Sequence, residues 1–421
     1  MMTLGLVSAR WLAVAACMSR IVASIESSPN TNVLILPPSA TYNLPINFSG
    51  NVSQSFLQTS DIPSISNSSE AILKPFIVYD EEFASLLAPN ASLELIYSDP
   101  EGNTVAHEMG IWVWDYNQVW MASTSPDNDV SYAYILDLYS NSLKLLNVTN
   151  GVPVVNPNGG GYYEGKVYIA GDGNATYPPS IYIVDPLTYT AEVVIDSYFG
   201  LRLNGPNDLV WASRQCSNGS RSWLFFTDDP LSYFYNGGLR PQLPDATWRF
   251  DPIDQTLLPV VDRTDVLVPN GIRVNKNGTK LYITDTPTPL VYGTGASISS
   301  SGEIAFNGSA SSAIYEFDLS EEGRPSNKRL FGIAERGIAD GMHLDDDGRV
   351  WTGEADGIVV RSPTGKVLGM VNALAIQGIQ TVDSDKAPLA NFALAGDRLI
   401  ILAYDKIFQV RFNRQIVSNM T

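Results

Sequence analysis

The sequence predicts an all-β protein, a six-bladed β-propeller closed by an N-terminal strand. From about residue 105 onwards, the 421-residue chain consists of short apolar runs separated by polar turns, with almost no helical periodicity. Asn-Gly or Asp-Gly pairs at Asn158-Gly159, Asn277-Gly278 and Asp347-Gly348 are hairpin signals. A second hairpin follows each first one, so the repeated unit has four strands.

Six such units begin near residues 108, 157, 206, 269, 339 and 390. The last unit contains only three strands, and a strand predicted over residues 92–97 supplies the fourth and closes the ring. Four-stranded units repeated in phase are typical of a propeller, where repetition protects the sheet edges. Two unrelated β-sandwich domains are the alternative, but the complementary terminal strands favour the propeller.

The first 24 residues have the pattern of a secretory signal peptide. Arg10 supplies a positive n-region, residues 11–18 form a short apolar run, and Val22-Ala23-Ser24 offers a small-residue cleavage site. Glycosylation sequons begin at Asn47, Asn51, Asn67, Asn90, Asn147, Asn174, Asn218, Asn277, Asn307 and Asn419. The sequence therefore predicts a secreted glycoprotein.

These observations divide the chain into four parts: a signal peptide over 1–24, an irregular segment over 25–90, the propeller over 91–415 and a tail over 416–421. A short helix is predicted around residues 80–87 of the irregular segment. Because Cys17 lies in the leader, only Cys216 remains in the mature chain, which therefore has no internal disulfide.

The chain is strongly acidic, with a formal net charge of −18 and a sequence pI of about 4.4. This charge argues against nucleic-acid and anionic-membrane partners, which require basic surfaces. It is compatible with a protein that holds a cation. No protein partner is evident from the sequence.

Four of the units open with an oxygen-bearing side chain just before their first strand: Glu108, Asn207, Asn270 and Asp340. Taken singly, each is readily explained as a turn residue. The first strand of every blade lines the central channel, however, so the fold makes these four converge on one mouth. Two carboxylates facing each other there would be costly without a cation between them.

The residue types indicate which cation. Carboxylate and amide oxygens suit Ca²⁺, which takes six to eight oxygen ligands, whereas Mg²⁺ is less favoured because it retains its waters. Zn²⁺ is poorly supported, because only His107, His343 and one mature cysteine offer nitrogen or sulfur. His343 is interpreted as a packed or channel-lining residue or as a catalyst, and His107 is expected to point away from the cation on a regular strand.

These residues resemble the senescence marker protein/gluconolactonase/lactonohydrolase superfamily of six-bladed calcium propellers, over about residues 90–415. The resemblance is strongest in the stretches 203–208, 226–230, 269–271 and 339–342, and residues 238–252 and 391–396 are similar to the fungal lactonohydrolase branch. It implies that Glu108, Asn207, Asn270 and Asp340 surround the calcium and that Asp340 acts as base or nucleophile. Animal gluconolactonases have an arginine where this chain has Gly205, so their sugar-lactone contacts do not carry over.

The predicted function is calcium-dependent hydrolysis of a small-molecule lactone, with Ca²⁺ polarising the carbonyl and Asp340 acting as base or nucleophile. The absence of a Gly-x-Ser-x-Gly elbow and the presence of only two histidines argue against a serine hydrolase. Two alternatives remain. One is other chemistry on the same site, such as phosphotriester hydrolysis or a cyclising or isomerising step in secondary metabolism. The other is a secreted binding propeller without catalysis.

Overall fold

A computed structural model describes residues 30–43, 57, 71–124, 130–217, 219–235, 239–286, 312–377 and 389–418. The predicted signal peptide over 1–24 lies outside these residues. So do the sequons at Asn47, Asn51, Asn67, Asn218, Asn307 and Asn419.

Strands are numbered in chain order. Three precede the first blade: β1 (Val33–Ile35), β2 (Phe76–Val78) and β3 (Glu94–Ser98). Blade 1 contains β4 (Glu108–Val113), β5 (Gln118–Ala122), β6 (Ala133–Asp137) and β7 (Ser142–Leu145). Blade 2 contains β8 (Asn150–Gly151), β9 (Pro157–Tyr163), β10 (Lys166–Gly171), β11 (Ser180–Val184) and β12 (Thr190–Ile195). A small hairpin follows, made of β13 (Ser197–Tyr198) and β14 (Leu201–Arg202).

Blade 3 contains β15 (Pro206–Cys216), β16 (Gly219–Asp228), β17 (Ala246–Asp251) and β18 (Thr256–Asp262). Blade 4 contains β19 (Pro269–Val274), β20 (Lys280–Asp285), β21 (Ala313–Leu319) and β22 (Pro325–Ile333). Blade 5 contains β23 (Met342–Leu344), β24 (Val350–Glu354), β25 (Gly357–Arg361) and β26 (Val367–Asn372). Blade 6 contains β27 (Phe392–Ala395), β28 (Arg398–Ala403) and β29 (Lys406–Arg411).

The six first strands pack side by side in a closed ring, in the order β4, β9, β15, β19, β23 and β27, with β27 returning to β4. These inner strands enclose the channel, and the other strands of each blade extend outward from them. The fourth strand of blade 6 is β3, which pairs antiparallel with β29, Ser98 opposite Lys406 and Glu94 opposite Gln409. The predicted six-bladed propeller and its closure by an N-terminal strand are therefore confirmed.

The segment before the ring is packed onto blade 5. β2 pairs antiparallel with β26 and β1 pairs parallel with β2, so this sheet has six strands. Helix α1 (Glu81–Ala84) follows, where the sequence predicts a short helix, and the Asp80 carboxylate caps it by accepting from the Glu82 N–H at 2.8 Å. Phe83 is buried on the other side of α1, edge-on to Trp351.

The remaining helical segments are short. α2 spans Leu231–Tyr235 and α3 spans Ala373–Gln377, and single 3₁₀ turns occur at Pro38–Thr41, Ala71–Leu73 and Trp114–Tyr116. Within the described residues, no helix has the length and apolar content needed to cross a membrane.

Two of the three predicted hairpin turns are confirmed. Gly278 and Gly348 have φ values of +65° and +80°, as the turns between β19 and β20 and between β23 and β24 require. The third prediction is wrong, because Asn158-Gly159 lies inside β9. A Cβ on Gly159 would lie 2.4 Å from the carbonyl oxygen of Asn207, so the glycine there permits close approach of blades 2 and 3.

Candidate active site

The four predicted site residues lie at the start of inner strands, at one mouth of the channel. In blades 3 and 4, Asn207 and Asn270 are the first residues of β-bulges, which place two inner-strand residues against one on the neighbouring strand. Glu108 immediately precedes a bulge of the same kind in blade 1. Because a bulge re-aims side chains, these positions turn toward the channel axis rather than following the regular alternation.

Asp340 and Asn270 contact each other directly. Nδ2 of Asn270 donates to Oδ1 of Asp340 at 2.9 Å, and the two residues are only 5% and 8% exposed. The backbone is fixed as well, since Thr284 Oγ1 donates to the Asp340 carbonyl at 2.9 Å. A Cβ on Gly271 would lie 2.5 Å from that carbonyl oxygen, so blades 4 and 5 meet here without intervening side chains.

Asn207 is oriented by a buried carboxylate. Its Nδ2 donates to Oδ2 of Asp229 at 3.1 Å, and Oδ1 of Asp229 accepts from the Leu231 N–H at 2.8 Å, at the start of α2. Burial raises the pKa of Asp229 well above its ordinary value, with smaller contributions from Asp172, Asp228 and Asp245. With the amide nitrogens of Asn207 and Asn270 both engaged, the oxygens are the atoms that remain to ligate a cation.

Glu108 lies beside two residues. Asn391 Nδ2 donates to its Oε2 at 3.4 Å, and His107 Nδ1 lies 3.1 Å from its Oε1, although this second contact lacks hydrogen-bond geometry. The prediction that His107 points away from the cation assumes a regular strand, and the backbone after Glu108 is irregular, since Met109 and Gly110 have φ values of +74° and +62°. The His107 ring packs against Tyr404, with the ring centroids 5.1 Å apart.

The electrostatics of the mouth are dominated by negative charge. The pKa of Asp340 is raised well above its ordinary value, first by burial, then by the charge of Glu108, and to a lesser extent by Asp208, against the opposing hydrogen bond from Asn270. In the described part of the chain, neither Glu108 nor Asp340 is ion-paired with a lysine or arginine. Two carboxylates that repel each other in a buried setting are the arrangement that a bound cation relieves.

The donor set fits a hard cation held by oxygen. Among the described residues, no three of the His, Cys, Asp and Glu side chains are placed to hold a metal ion. A site here therefore depends on the amide oxygens of Asn207 and Asn270 beside the two carboxylates, a set typical of Ca²⁺ rather than Zn²⁺.

Below the mouth, a buried ion pair joins the neighbouring inner strands of blades 3 and 4. Oδ2 of Asp208 accepts from Arg273 Nη1 at 2.5 Å and from the Ile272 N–H at 3.2 Å. Its Oδ1 accepts from the backbone N–H groups of Leu209 and Gly160. Burial, reinforced by the charge of Arg273, lowers the pKa of His343 well below its ordinary value, which favours the neutral ring. His343 lines the channel and packs edge-on against Phe392, with their ring centroids 4.9 Å apart.

Sequence reasoning missed two positions of the same ring. Asn391, just before β27, is the blade 6 counterpart and contacts Glu108. Asn158 of blade 2 occupies the bulge position that Asn207 and Asn270 occupy in their blades. The signal was present, because Pro157-Asn158-Gly159 repeats the phrase Pro269-Asn270-Gly271, but the Asn-Gly pair was interpreted as a turn.

Comparison with known proteins agrees with this architecture. Residues 293–376 match the family described as the SMP-30/Gluconolactonase/LRE-like region. The lactonohydrolase oryH of Aspergillus oryzae is 25% identical over 349 residues, which cover 70% of this chain and 73% of that protein. The predicted resemblance to this superfamily is confirmed.

Two further relatives extend the comparison. A gluconolactonase of Zymomonas mobilis is 26% identical over 260 residues, which cover 59% of this chain and 60% of that protein. The solved structure of a gluconolactonase from Xanthomonas campestris superposes with a TM-score of 0.57 at 19% identity, covering 80% of this chain and 95% of that chain. At this identity the structural likeness establishes the shared propeller fold of the SMP-30/gluconolactonase family and nothing finer.

The departure from the gluconolactonases at Gly205 has a structural explanation. A Cβ at this position would lie 2.9 Å from Cβ of Ser232 and 3.2 Å from the carbonyl oxygen of Asp229. Both neighbours belong to the connection that contains α2, so this connection fills the space beside Gly205. A long side chain two residues before Asn207 therefore does not fit unless α2 moves.

Proposed function

We propose that this chain is a divalent-cation-dependent hydrolase that opens a lactone, a cyclic carboxylic ester. The observation that carries the proposal is the convergence of Glu108, Asn270 and Asp340 at one channel mouth, where Asn270 donates to Asp340 at 2.9 Å. Burial and then the charge of Glu108 raise the pKa of Asp340. The names of the relatives, lactonohydrolase and gluconolactonase, support a lactone as the substrate class.

Four residues would hold the cation: Glu108, Asn207, Asn270 and Asp340. We propose Ca²⁺, with Mg²⁺ or another divalent ion less favoured, because two carboxylates and two amides leave room for further oxygen ligands. When bound, such an ion supplies Lewis-acid stabilisation of negative charge on an ester carbonyl oxygen.

Asp340 would act on the nucleophile. As a base, its carboxylate takes a proton from a water molecule while the water oxygen bonds to the lactone carbonyl carbon. The ring C–O bond then breaks, and the departing alkoxide takes up that proton to give the open hydroxy acid. As a nucleophile, the Asp340 oxygen would bond to the carbonyl carbon while the ring C–O bond breaks, which gives an anhydride and an alkoxide that takes a proton from water. The hydroxide left by that water would then cleave the anhydride and release the hydroxy acid and the Asp340 carboxylate. Asn270 keeps the carboxylate in place in either route.

The two routes are separable by isotope. During repeated turnover in ¹⁸O-labelled water, the nucleophile route places ¹⁸O in the Asp340 carboxylate when water attacks the Asp340 carbonyl of the anhydride, whereas the base route labels only the hydroxy acid. Peptide mass spectrometry of the segment containing Asp340 reads the difference.

A substrate panel tests the proposed function itself. Purified protein is assayed on aliphatic, sugar-derived and aromatic lactones and on organophosphate triesters, each with and without a chelator. We expect turnover of at least one lactone that chelation abolishes and added Ca²⁺ restores. Turnover of the triesters alone, or lactone turnover that is indifferent to chelation, would contradict the proposal.

We also propose that the protein is secreted and glycosylated. The four sequon asparagines in the described residues, Asn90, Asn147, Asn174 and Asn277, are all exposed, as glycan attachment requires. Expression in a eukaryotic secretory host should yield protein in the medium whose mass falls on treatment with an N-glycosidase. Retention inside the cell with no change of mass would contradict this proposal.

A further inference from the structure

Asn158 of blade 2 lies at the same mouth of the channel as the proposed cation ligands. It is the first residue of the bulge in β9, the position that Asn207 and Asn270 occupy in β15 and β19. Its strand packs between β4, which supplies Glu108, and β15, which supplies Asn207. The ring of inner strands therefore places Asn158 beside the candidate active site.

The backbone that presents Asn158 is fixed by both neighbouring blades. On the side of blade 1, Ser131 Oγ donates to the carbonyl oxygen of Pro157 at 3.0 Å. On the side of blade 3, a Cβ on Gly159 would lie 2.4 Å from the carbonyl oxygen of Asn207, so only a glycine allows the two strands to approach this closely. The position of the Asn158 backbone is thus set before any ligand arrives.

The Asn158 amide is free and accessible. The residue is half-buried, and its side chain makes no hydrogen bond within the part of the chain that the structure describes. It is not among the fully buried polar atoms that lack a partner, so its oxygen and nitrogen both retain accessible surface. The amide nitrogens of the other asparagines at this mouth all donate to carboxylates: Asn207 to Asp229, Asn270 to Asp340 and Asn391 to Glu108.

A free neutral donor is what this mouth otherwise lacks. The side chains of Glu108 and Asp340 and the amide oxygens of Asn207 and Asn270 are all acceptors. The carbonyl oxygen of a lactone gains negative charge when its carbon is attacked, and a fixed N–H donor stabilises that charge. A lysine or arginine in this role would pair with the carboxylates and compete with the cation, whereas an amide N–H does not.

We propose that Asn158 is a catalytic residue of the lactone hydrolysis proposed above, on which this inference rests. Its Nδ2 donates a hydrogen bond to the lactone carbonyl oxygen as negative charge develops there. Asn158 is not a cation ligand. In Asn207 and Asn270, a carboxylate engages Nδ2 and leaves the oxygen for the cation, and Asn158 has no such partner.

Two substitutions separate the N–H donor of Asn158 from its oxygen. Asn158→Leu removes both, whereas Asn158→Asp keeps the shape of the side chain and an oxygen but removes the donor. Each should lower kcat for a lactone about 10²- to 10³-fold and change KM less than about 3-fold, because the donor acts mainly in the transition state.

Cation affinity is the readout that does not depend on turnover. Protein stripped with a chelator is titrated with Ca²⁺ alone in a calorimeter. Asn158→Leu should bind Ca²⁺ within about 2-fold of the wild type, because the proposed ligands are intact. Asn158→Asp should bind it at least as tightly, because the substitution adds a negative charge beside the site.

Stability distinguishes this role from a structural one. Asn158→Leu should not lower the urea midpoint, because the side chain makes no hydrogen bond to lose. Asn275→Leu is the matched control, a half-buried asparagine just past the opposite end of an inner strand. Its Oδ1 accepts from the N–H groups of Thr279 and Lys280, so this variant should lower the midpoint and leave kcat unchanged.

Three results would overturn the role of Asn158 while leaving the proposed function in place. They are full turnover in either Asn158 variant, a rise of KM with kcat unchanged, and a loss of Ca²⁺ affinity in Asn158→Leu, which would make the residue a cation ligand. Absence of lactone turnover in the wild-type protein is a different failure. It would overturn the proposed function itself, and this role with it.

Discussion

The two mouths of the channel are built from the same inner strands, yet their chemistry is opposite. Where the strands begin, the side chains are carboxylates and amides such as Glu108, Asn270 and Asp340. Where they end, the side chains are rings such as Trp112 and Trp211. The buried Asp208–Arg273 ion pair joins the inner strands of blades 3 and 4.

The difference lies in the backbone as much as in residue type. Bulges at the strand starts turn consecutive polar side chains toward the axis, at the cost of regular pairing. Toward the far end the pairing of β15 with β16 is regular, from Leu209 to Cys216. The bulged starts of the inner strands are thus suited to bringing polar side chains together around a cation. The regular far ends are suited to stacking aromatic rings. Changes at one mouth should therefore be separable from changes at the other.

The largest expected effect is at the polar mouth. Asp340→Asn removes the proposed base and one charged ligand, so kcat/KM for lactones should fall by about 10³-fold or more. Folding should persist, because the amide retains an acceptor for Asn270. Asp265→Asn, an exposed aspartate elsewhere, is the matched control and should retain full turnover. Wild-type rates in Asp340→Asn would exclude the proposed role.

The largest loss of stability is expected when the buried Asp208–Arg273 ion pair is broken. Asp208→Asn leaves the Arg273 guanidinium buried without its counter-ion, which should cost about 3–5 kcal/mol of unfolding free energy. Urea denaturation with a constant m-value measures this change. A loss under about 1 kcal/mol would contradict the expectation that this buried ion pair stabilises the fold.

Cation binding should stabilise the polar mouth alone. Ca²⁺ at a hundred times its dissociation constant should raise the unfolding free energy by about 2.7 kcal/mol, because it binds only the folded chain. The double variant Glu108→Gln, Asp340→Asn should lose this increment, and Trp211→Phe should keep it. Thermal unfolding with and without chelator makes the comparison.

The unfolding free energy should depend on pH through Asp228, a buried carboxylate beside the polar mouth. Burial, reinforced by Asp245 and Asp172 and opposed by N–H groups of Gly205 and Asn204, raises the pKa of Asp228 to about 7. The folded state therefore binds a proton that the unfolded state has released, and this stabilisation is complete below about pH 4 and lost as the pH rises to 7. Stability should fall by up to about 1 kcal/mol per pH unit across that window. Asp228→Asn should flatten the slope, and an unchanged slope would contradict the assignment.

The smallest loss of stability is expected for an exposed ion pair near the C-terminal end of the described chain. Arg414 pairs with Asp347 at 2.6 Å, but both side chains are nearly half exposed. Arg414→Ala should therefore cost less than about 1 kcal/mol. A larger loss, measured by the same urea series as Asp208→Asn, would show that the C-terminal segment contributes to the channel wall.

The fold could be predicted from the sequence because the propeller repeats itself. The four-strand unit recurs in phase, and the strand missing from blade 6 has a counterpart at 94–98. The placement of β1 and β2 on blade 5 could not be predicted, because three-residue strands carry too little pattern and their partner is almost 300 residues away.

The candidate site was predictable in part for the same reason. The same position, at the start of the first strand of a blade, carries an oxygen-bearing side chain in four blades: Glu108, Asn207, Asn270 and Asp340. Because the fold repeats this position, the sequence pattern was enough to find it. Asn158 and Asn391 were missed because an Asn-Gly pair usually means a turn and because blade 6 has only three strands of its own. The hydrogen bond from Asn207 to Asp229 could not be predicted, because it depends on a β-bulge that the residue pattern does not show.

The most direct test of the central claim is metal content and turnover measured on the same preparation. Wild-type protein purified without chelator should carry about one divalent cation per chain by elemental analysis, open a lactone, and lose both after chelation. Asp340→Asn should show reduced metal and no turnover. Lactone opening by wild-type protein that contains no metal would contradict the account.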